Sequence, residues 1–249
     1  MAKIPLPMTP PSPQASATLE PTLPQGVSML LPFTPDQFLE VFAAYNRAVW
    51  PAQPVAYLLG VGIVLALLRP SAASNRIVGV GLGLMWVWTG VAYHAMFFAQ
   101  INEAAGAFAA LFVVQGLFLA HATLFRTDLR FARGHGPRSW LGWALIVYAA
   151  LIYPSIGIAG HGYPAMPMFG ITPCPVTLFS FGMLFLAQDP VPRRLLVIPF
   201  VWALVGGSAA FLLAVPQDWP LLASGLLVVP WLWRHPADVR HGRPSISRT

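Results

Sequence analysis

The chain has 249 residues, of which 57% are hydrophobic and only 9% charged, and its mean hydropathy is +0.66. Such a composition excludes an ordinary soluble domain and implies a polytopic membrane protein. The net charge of +6 does not imply nucleic acid as a partner, because 12 of the 14 basic residues lie between or after the apolar runs and form no compact basic domain.

Residues 1–33 hold Pro5, Pro7, Pro10, Pro11, Pro13, Pro21, Pro24 and Pro32 among Ser and Thr, with no apolar run long enough for a signal-peptide core. They are predicted to form a disordered tail. Met29 precedes the first patterned segment, so residues 1–28 are a candidate upstream extension. Thr34-Pro35-Asp36-Gln37 has the form of a helix start, with Thr34 as N-cap and Gln37 able to return the capping-box bond. Within residues 34–50 the spacing predicts an amphipathic helix over 35–49, with Phe38, Phe42, Tyr45 and Val49 on one stripe and Asp36, Glu40 and Arg47 off it. Such a helix is expected to lie flat at the outer interface, as an anchor or as a lid.

Residues 51–233 then hold seven apolar runs, near 51–68, 77–99, 104–125, 139–159, 168–187, 195–215 and 219–233. Helices rather than a barrel follow from continuous apolar runs, since a helix satisfies its own backbone groups where water is absent. Between and after these runs, arginines occur only on alternate connections: Arg69 and Arg76; Arg126, Arg130, Arg133 and Arg138; Arg193 and Arg194; and the basic tail, 234–249. By the positive-inside rule these segments are cytoplasmic, which predicts an all-α bundle of seven spans with the N-terminus outside and the C-terminus inside. The seventh run is short and contains Pro230, but a tail left outside would break the charge rule. Trp50, Trp140, Trp219, Trp231 and Trp233 fall near span ends, as an aromatic belt does. Gly79 and Gly83, with Gly206, Gly207 and Ala210, offer small surfaces for helix packing.

No Asp, Glu, Lys or Arg lies inside a predicted span. A retinal Schiff base therefore has no lysine, and an ion coupler lacks its usual carboxylate. His94 and His121 are the ionisable span residues, but one sits near the outer end of span two and the other near the inner end of span three. That places them about 15–20 Å apart along the membrane normal, too far to share a metal. Cys174, the one cysteine, excludes an intramolecular disulfide. It lies roughly 9 Å from the outer face, close to the depth of His94. Pro173 and Pro175 are expected to break or kink the helix around it. An outward cavity lined by Tyr93, His94, Asn102, Glu103, Thr172 and Cys174 is the expected site, with His94 and Cys174 as candidate ligands for a soft ion such as copper, or for zinc. No Ser–His pair, phosphate loop, HExxH or CxxC points to an enzyme.

Several runs in combination resemble a known family. They are Leu31-Pro32-Phe33-Thr34-Pro35-Asp36-Gln37-Phe38, the pairs Tyr45-Asn46 and Trp50-Pro51, Thr89-Gly90-Val91-Ala92-Tyr93-His94 leading to Phe97, Phe98, Ile101 and Asn102, and Gly170-Ile171-Thr172-Pro173-Cys174-Pro175. Over residues 30 to about 235 the chain resembles a bacterial membrane family of unassigned role, domain of unknown function 6064. The resemblance implies a multi-pass protein of the bacterial inner membrane and supplies no activity, cofactor or catalytic residue. Two functions are therefore expected: binding or passing a small ligand or soft metal ion in an outer-leaflet cavity, or service as a non-catalytic accessory subunit. The expected partners are the lipid bilayer and either further copies of the chain or a membrane complex.

Overall fold

The chain is described from a computed structural model covering residues 31–126, 129–213 and 215–234. Most of the expected Pro-rich tail, the start at Met29 and the basic tail beyond Arg234 lie outside the described residues.

Helix α1 (Pro35–Ala48) begins with the expected capping box: Gln37 N donates to Thr34 Oγ1 at 3.2 Å and Thr34 N donates to Gln37 Oε1 at 2.8 Å. Phe42 and Tyr45 of its stripe are buried, while Asp36, Glu40 and Arg47 are exposed. The chain bends by 84° into α2 (Ala52–Ala66). Next comes α3 (Ala72–Trp88), N-capped by Ser71 and continuing as a π-helical segment, Thr89–Phe97. After α4 (Ala105–Leu124), α5 (Pro137–Val147) and α6 (Tyr153–Gly160) are joined by a second π-helical segment, Tyr148–Ile152. Helix α7 (Pro173–Phe185) follows, then α8 (Arg194–Gly207) and α9 (Ala209–Leu212), interrupted at Ser208. A 3₁₀ turn, Pro216–Asp218, leads into α10 (Trp219–Arg234). The architecture is all-helical; the described residues contain no strand beyond an isolated bridge between Phe131 and Ala187.

By length and composition, Ala72–Gln100, Ala105–Leu124, Pro137–Gly160 and Arg194–Leu212 are four helices able to cross a membrane, and α1 with α2 makes a fifth if the bent pair is one span. Helices α7 and α10 are apolar but have 13 and 16 residues. Both fall short of the roughly 20 residues that span a bilayer alone.

Of the break or kink expected at Pro173 and Pro175, the structure has the break: residues 168–172 are not helical and these prolines begin α7. Proline is tolerated in a first turn because the backbone N–H groups there have no intrahelical acceptor to lose. Pro173 and every residue from Pro175 to Phe185 are buried, so α7 is the centre of the core rather than a lipid-facing rod. Its neighbours approach to backbone distance through glycine. A Cβ on Gly182 would lie 2.8 Å from Gly142 O, and one on Gly142 2.9 Å from Gly182 O. Gly83 of α3 and Gly116 of α4 meet in the same way, at 2.7 and 2.6 Å. Gly79, expected as a packing surface, sits directly against Thr123.

The connections gather at two ends. At one end the Arg-bearing segments meet: Phe131 N donates to Asn75 Oδ1 at 2.8 Å and Gln188 N donates to Arg130 O at 2.8 Å. Arg130 also grips Asp189 through Nη2–Oδ1 at 2.7 Å and Nε–Oδ2 at 3.0 Å. That hydrogen-bonded arginine holds the Asp189 carboxyl below its usual pKa. At the other end α1 meets the connections that carry no Lys or Arg. Asn46 Nδ2 donates to Pro164 O at 2.8 Å and to Met166 O at 2.7 Å, and Tyr45 OH donates to Ile171 O at 2.8 Å. Exposed tryptophans, among them Trp50 (65%), Trp140 (75%) and Trp219 (51%), stand at helix ends, where an aromatic belt would place them.

Candidate functional site

A π-helical turn widens a helix and is found frequently at functional sites. The segment Thr89–Phe97 presents Tyr93 and His94 to the interior, both buried. Tyr93 stacks on Phe42 of α1 at 5.3 Å and on Phe98 at 5.8 Å, and meets Tyr45 edge-on at 5.3 Å. The buried face of α1 thus rests directly on the π segment. His94 is enclosed by aromatic rings, with centroids at 4.7 Å for Phe112, 5.0 Å for Trp202 and 5.8 Å for Phe108. Neither Nδ1 nor Nε2 has a hydrogen-bond partner. A buried polar group left unpaired costs about 1–3 kcal/mol, and packing alone gives no return on it.

A second set of polar groups enters from three other helices. Cys174, at the start of α7 and partly buried, adjoins the side chains of Asp218, Tyr153 and Trp202. Tyr153 OH donates to Asp218 Oδ1 at 2.6 Å. The 3₁₀ turn Pro216–Asp218 folds the carboxyl inward until only 2% of Asp218 is exposed, and Tyr148 OH anchors the turn by donating to Gln217 O at 3.1 Å. Burial pushes the Asp218 carboxyl up to about 7, against the opposing pull of its hydrogen bonds with Tyr153 and Cys174. Trp202 of α8 links the two sets, since its ring touches His94 and its side chain adjoins the thiol. Its Nε1–H has no oxygen or nitrogen acceptor and adjoins the thiol. The result is a buried set of carboxyl, phenol, thiol, indole and imidazole, in which the first π segment supplies His94 and Tyr153 directly follows the second.

Of the residues expected from sequence, Tyr93, His94 and Cys174 belong to this cluster. Thr172 is fully buried, but its Oγ1 donates to Met168 O at 2.7 Å and holds the turn before α7. Asn102 and Glu103 lie in the connection before α4: Asn102 Oδ1 accepts from Ala104 N at 3.0 Å, and Glu103 is exposed. The acid in the interior is Asp218, which falls between the runs near 195–215 and 219–233 and was not among the residues expected from sequence. The available signal was an acid flanked by Gln217 and Trp219-Pro220 in a connection with no other charge. Among the described residues no three His, Cys, Asp or Glu side chains gather as a metal site would require.

The model of a family of unknown function (DUF6064) matches residues 35–242. The chain belongs to the DUF6064 family. The matched stretch begins at α1 and takes in all the helices described above, so the buried cluster and the helix resting on it are both part of the DUF6064 unit. No curated protein and no solved structure matches the chain.

Proposed function

We propose that the chain is a seven-span protein of the bacterial inner membrane, N-terminus outside and C-terminus cytoplasmic, that binds or passes a small polar ligand at the cluster of His94, Trp202, Cys174, Tyr153 and Asp218. The topology is supported by the two groups of connections, with arginines at one end and none at the other. In this reading seven helical segments run between those groups: α2, α3 with its π segment, α4, α5 with α6, α7, α8 with α9, and α10. The short α7 fits because it is surrounded by protein, and non-helical backbone such as residues 168–172 is tolerated at membrane depth where protein covers it. In this reading α1 is a lid over the outer mouth.

The ligand reading is carried by the two orphaned ring nitrogens of His94 beside a hydrogen-bonded acid and thiol. Polar groups this deep in a membrane bundle are expensive, and a ligand with both donors and acceptors would repay them. Copper or zinc would find no three of His94, Cys174 and Asp218 gathered as ligands, so a small organic molecule fits the donor set better. The test is native mass spectrometry of gently purified protein. The wild type should carry a small molecule that His94→Phe and Asp218→Asn lose while remaining folded. A wild type with no bound small molecule, purified with a stoichiometric protein partner that both variants retain, would support the accessory-subunit function instead.

A further inference from the structure

At the Arg-bearing end, a cavity of about 610 Å³ opens between the start of α3, the end of α4 and the segments around Arg130 and Gln188. Its described lining holds two arginines, Arg76 and Arg130, and no carboxylate; the neighbouring Asp128 lies outside the described residues. Among the described residues Arg76 has no ion-pair partner. Arg130 is clamped by Asp189 through Nε and Nη2, which leaves Nη1 as an unengaged and pre-oriented donor. Asn75 also lines the cavity; its Oδ1 is taken by Phe131 N, so its remaining capacity is that of a donor. Ser71 and Ala72 bring in the first turn of α3, whose leading N–H groups have no intrahelical acceptor.

Every one of these groups donates and two are cationic; Asp189 takes Nε and Nη2 of Arg130 and offsets its charge, which leaves Arg130 Nη1 and the whole Arg76 guanidinium to an anion. We infer that this cavity binds a phosphate-type anion, held by Arg76, Arg130, Asn75 and the first turn of α3. The two sources of that chemistry are the headgroup of an anionic phospholipid and free phosphate. The site is at the opposite end of the helices from the cluster around His94, so it stands or falls independently of the ligand proposed there.

The full chain in nonionic detergent provides the test, with binding measured for inorganic phosphate, for a short-chain phosphatidylglycerol and for the matching diacylglycerol, which has no phosphate. Wild type should bind at least one phosphate-bearing probe saturably and should not bind the diacylglycerol. Arg76→Gln and Arg130→Gln should each weaken that binding about 10-fold, roughly one charge-assisted contact, whereas Arg194→Gln, at the same end but outside the cavity, should not. Binding of phosphatidylglycerol that excess phosphate does not displace would identify a headgroup site, and binding of phosphate itself a free-anion site. The inference is overturned if neither phosphate-bearing probe saturates, or if folded Arg76→Gln and Arg130→Gln bind as the wild type does. It is also overturned if Arg194→Gln weakens binding equally, since the effect would then be general surface charge.

Discussion

Asp218 makes the stability of this protein depend on pH, in a direction opposite to that of most carboxylates. An unfolded aspartate titrates at 3.8, and burial holds Asp218 at about 7 in the folded bundle. Between those values the folded state binds the proton that the unfolded state has released, so stability falls as pH rises. Below about pH 4 both states are protonated and the full stability is present; above about pH 7 both are ionised and the loss is complete. A shift of this size corresponds to at most about 4 kcal/mol, at 1.36 kcal/mol per pH unit. Asp218→Asn removes the ionisation and keeps an oxygen to accept from Tyr153, so the variant should exceed the wild type by only about 1 kcal/mol near pH 4.5 and by as much as about 4 kcal/mol near pH 8. Reversible unfolding of the purified protein in mixed detergent micelles, followed from pH 4.5 to 8, measures both curves. A wild type whose stability is flat over that range, or an Asp218→Asn variant that declines just as steeply, would refute the assignment of Asp218 to a dry interior.

Other expected outcomes follow from the same packing. His94→Phe should raise unfolding stability by about 1–2 kcal/mol, since it replaces an unpaired imidazole with a ring suited to its aromatic surroundings; a loss in chemical denaturation would mean the imidazole has a partner. Gly116→Ala places a Cβ 2.6 Å from Gly83 O and should cost about 1–3 kcal/mol, whereas Gly106→Ala, with nothing within 4 Å, should be neutral or mildly stabilising by the same measurement. Asn46→Ala leaves the carbonyls of Pro164 and Met166 without their donor, and should cost about 1–3 kcal/mol and hasten proteolysis within α1. Asp189→Asn breaks an ion pair whose arginine is 65% exposed, and its unfolding midpoint should move by less than the equivalent of about 1 kcal/mol.

The sequence made the helical class and the start of α1 legible because each depends on local pattern: apolar runs in one case, and a four-residue capping box in the other. His94, Tyr93 and Cys174 were also legible, as rare polar types inside or beside apolar runs. Asn102 and Glu103 were misleading for the same reason that Asp218 was missed. Distance along a helix axis is a fair guide to depth only while the chain remains helical, and it says nothing of a short turn that folds back. The turn at Pro216–Asp218 carries its acid into the core, whereas the turn at Asn102–Glu103 stays on the surface. The prolines around Cys174 were ambiguous because Pro marks a helix start and a helix kink with the same residue, and the choice depends on where the preceding turn ends. Neither π segment has a sequence signature by which it was found.

The clamp that Asn46 places on the carbonyls of Pro164 and Met166 joins residues 118 and 120 positions apart. During synthesis at about 5–20 residues per second, α1 therefore waits on the order of ten seconds for the segment that covers it. Throughout that interval its buried face, with Phe42, Tyr45 and Asn46, has nothing beyond α6 to lean on. The end of the bundle that holds α1 is thus completed late, by the meeting of an early helix with a late loop. A chain stopped before Pro164 would already have Phe42 and Tyr45 against Tyr93, but would leave the Asn46 amide and the Tyr45 hydroxyl without their carbonyl acceptors, a state that quality control can recognise.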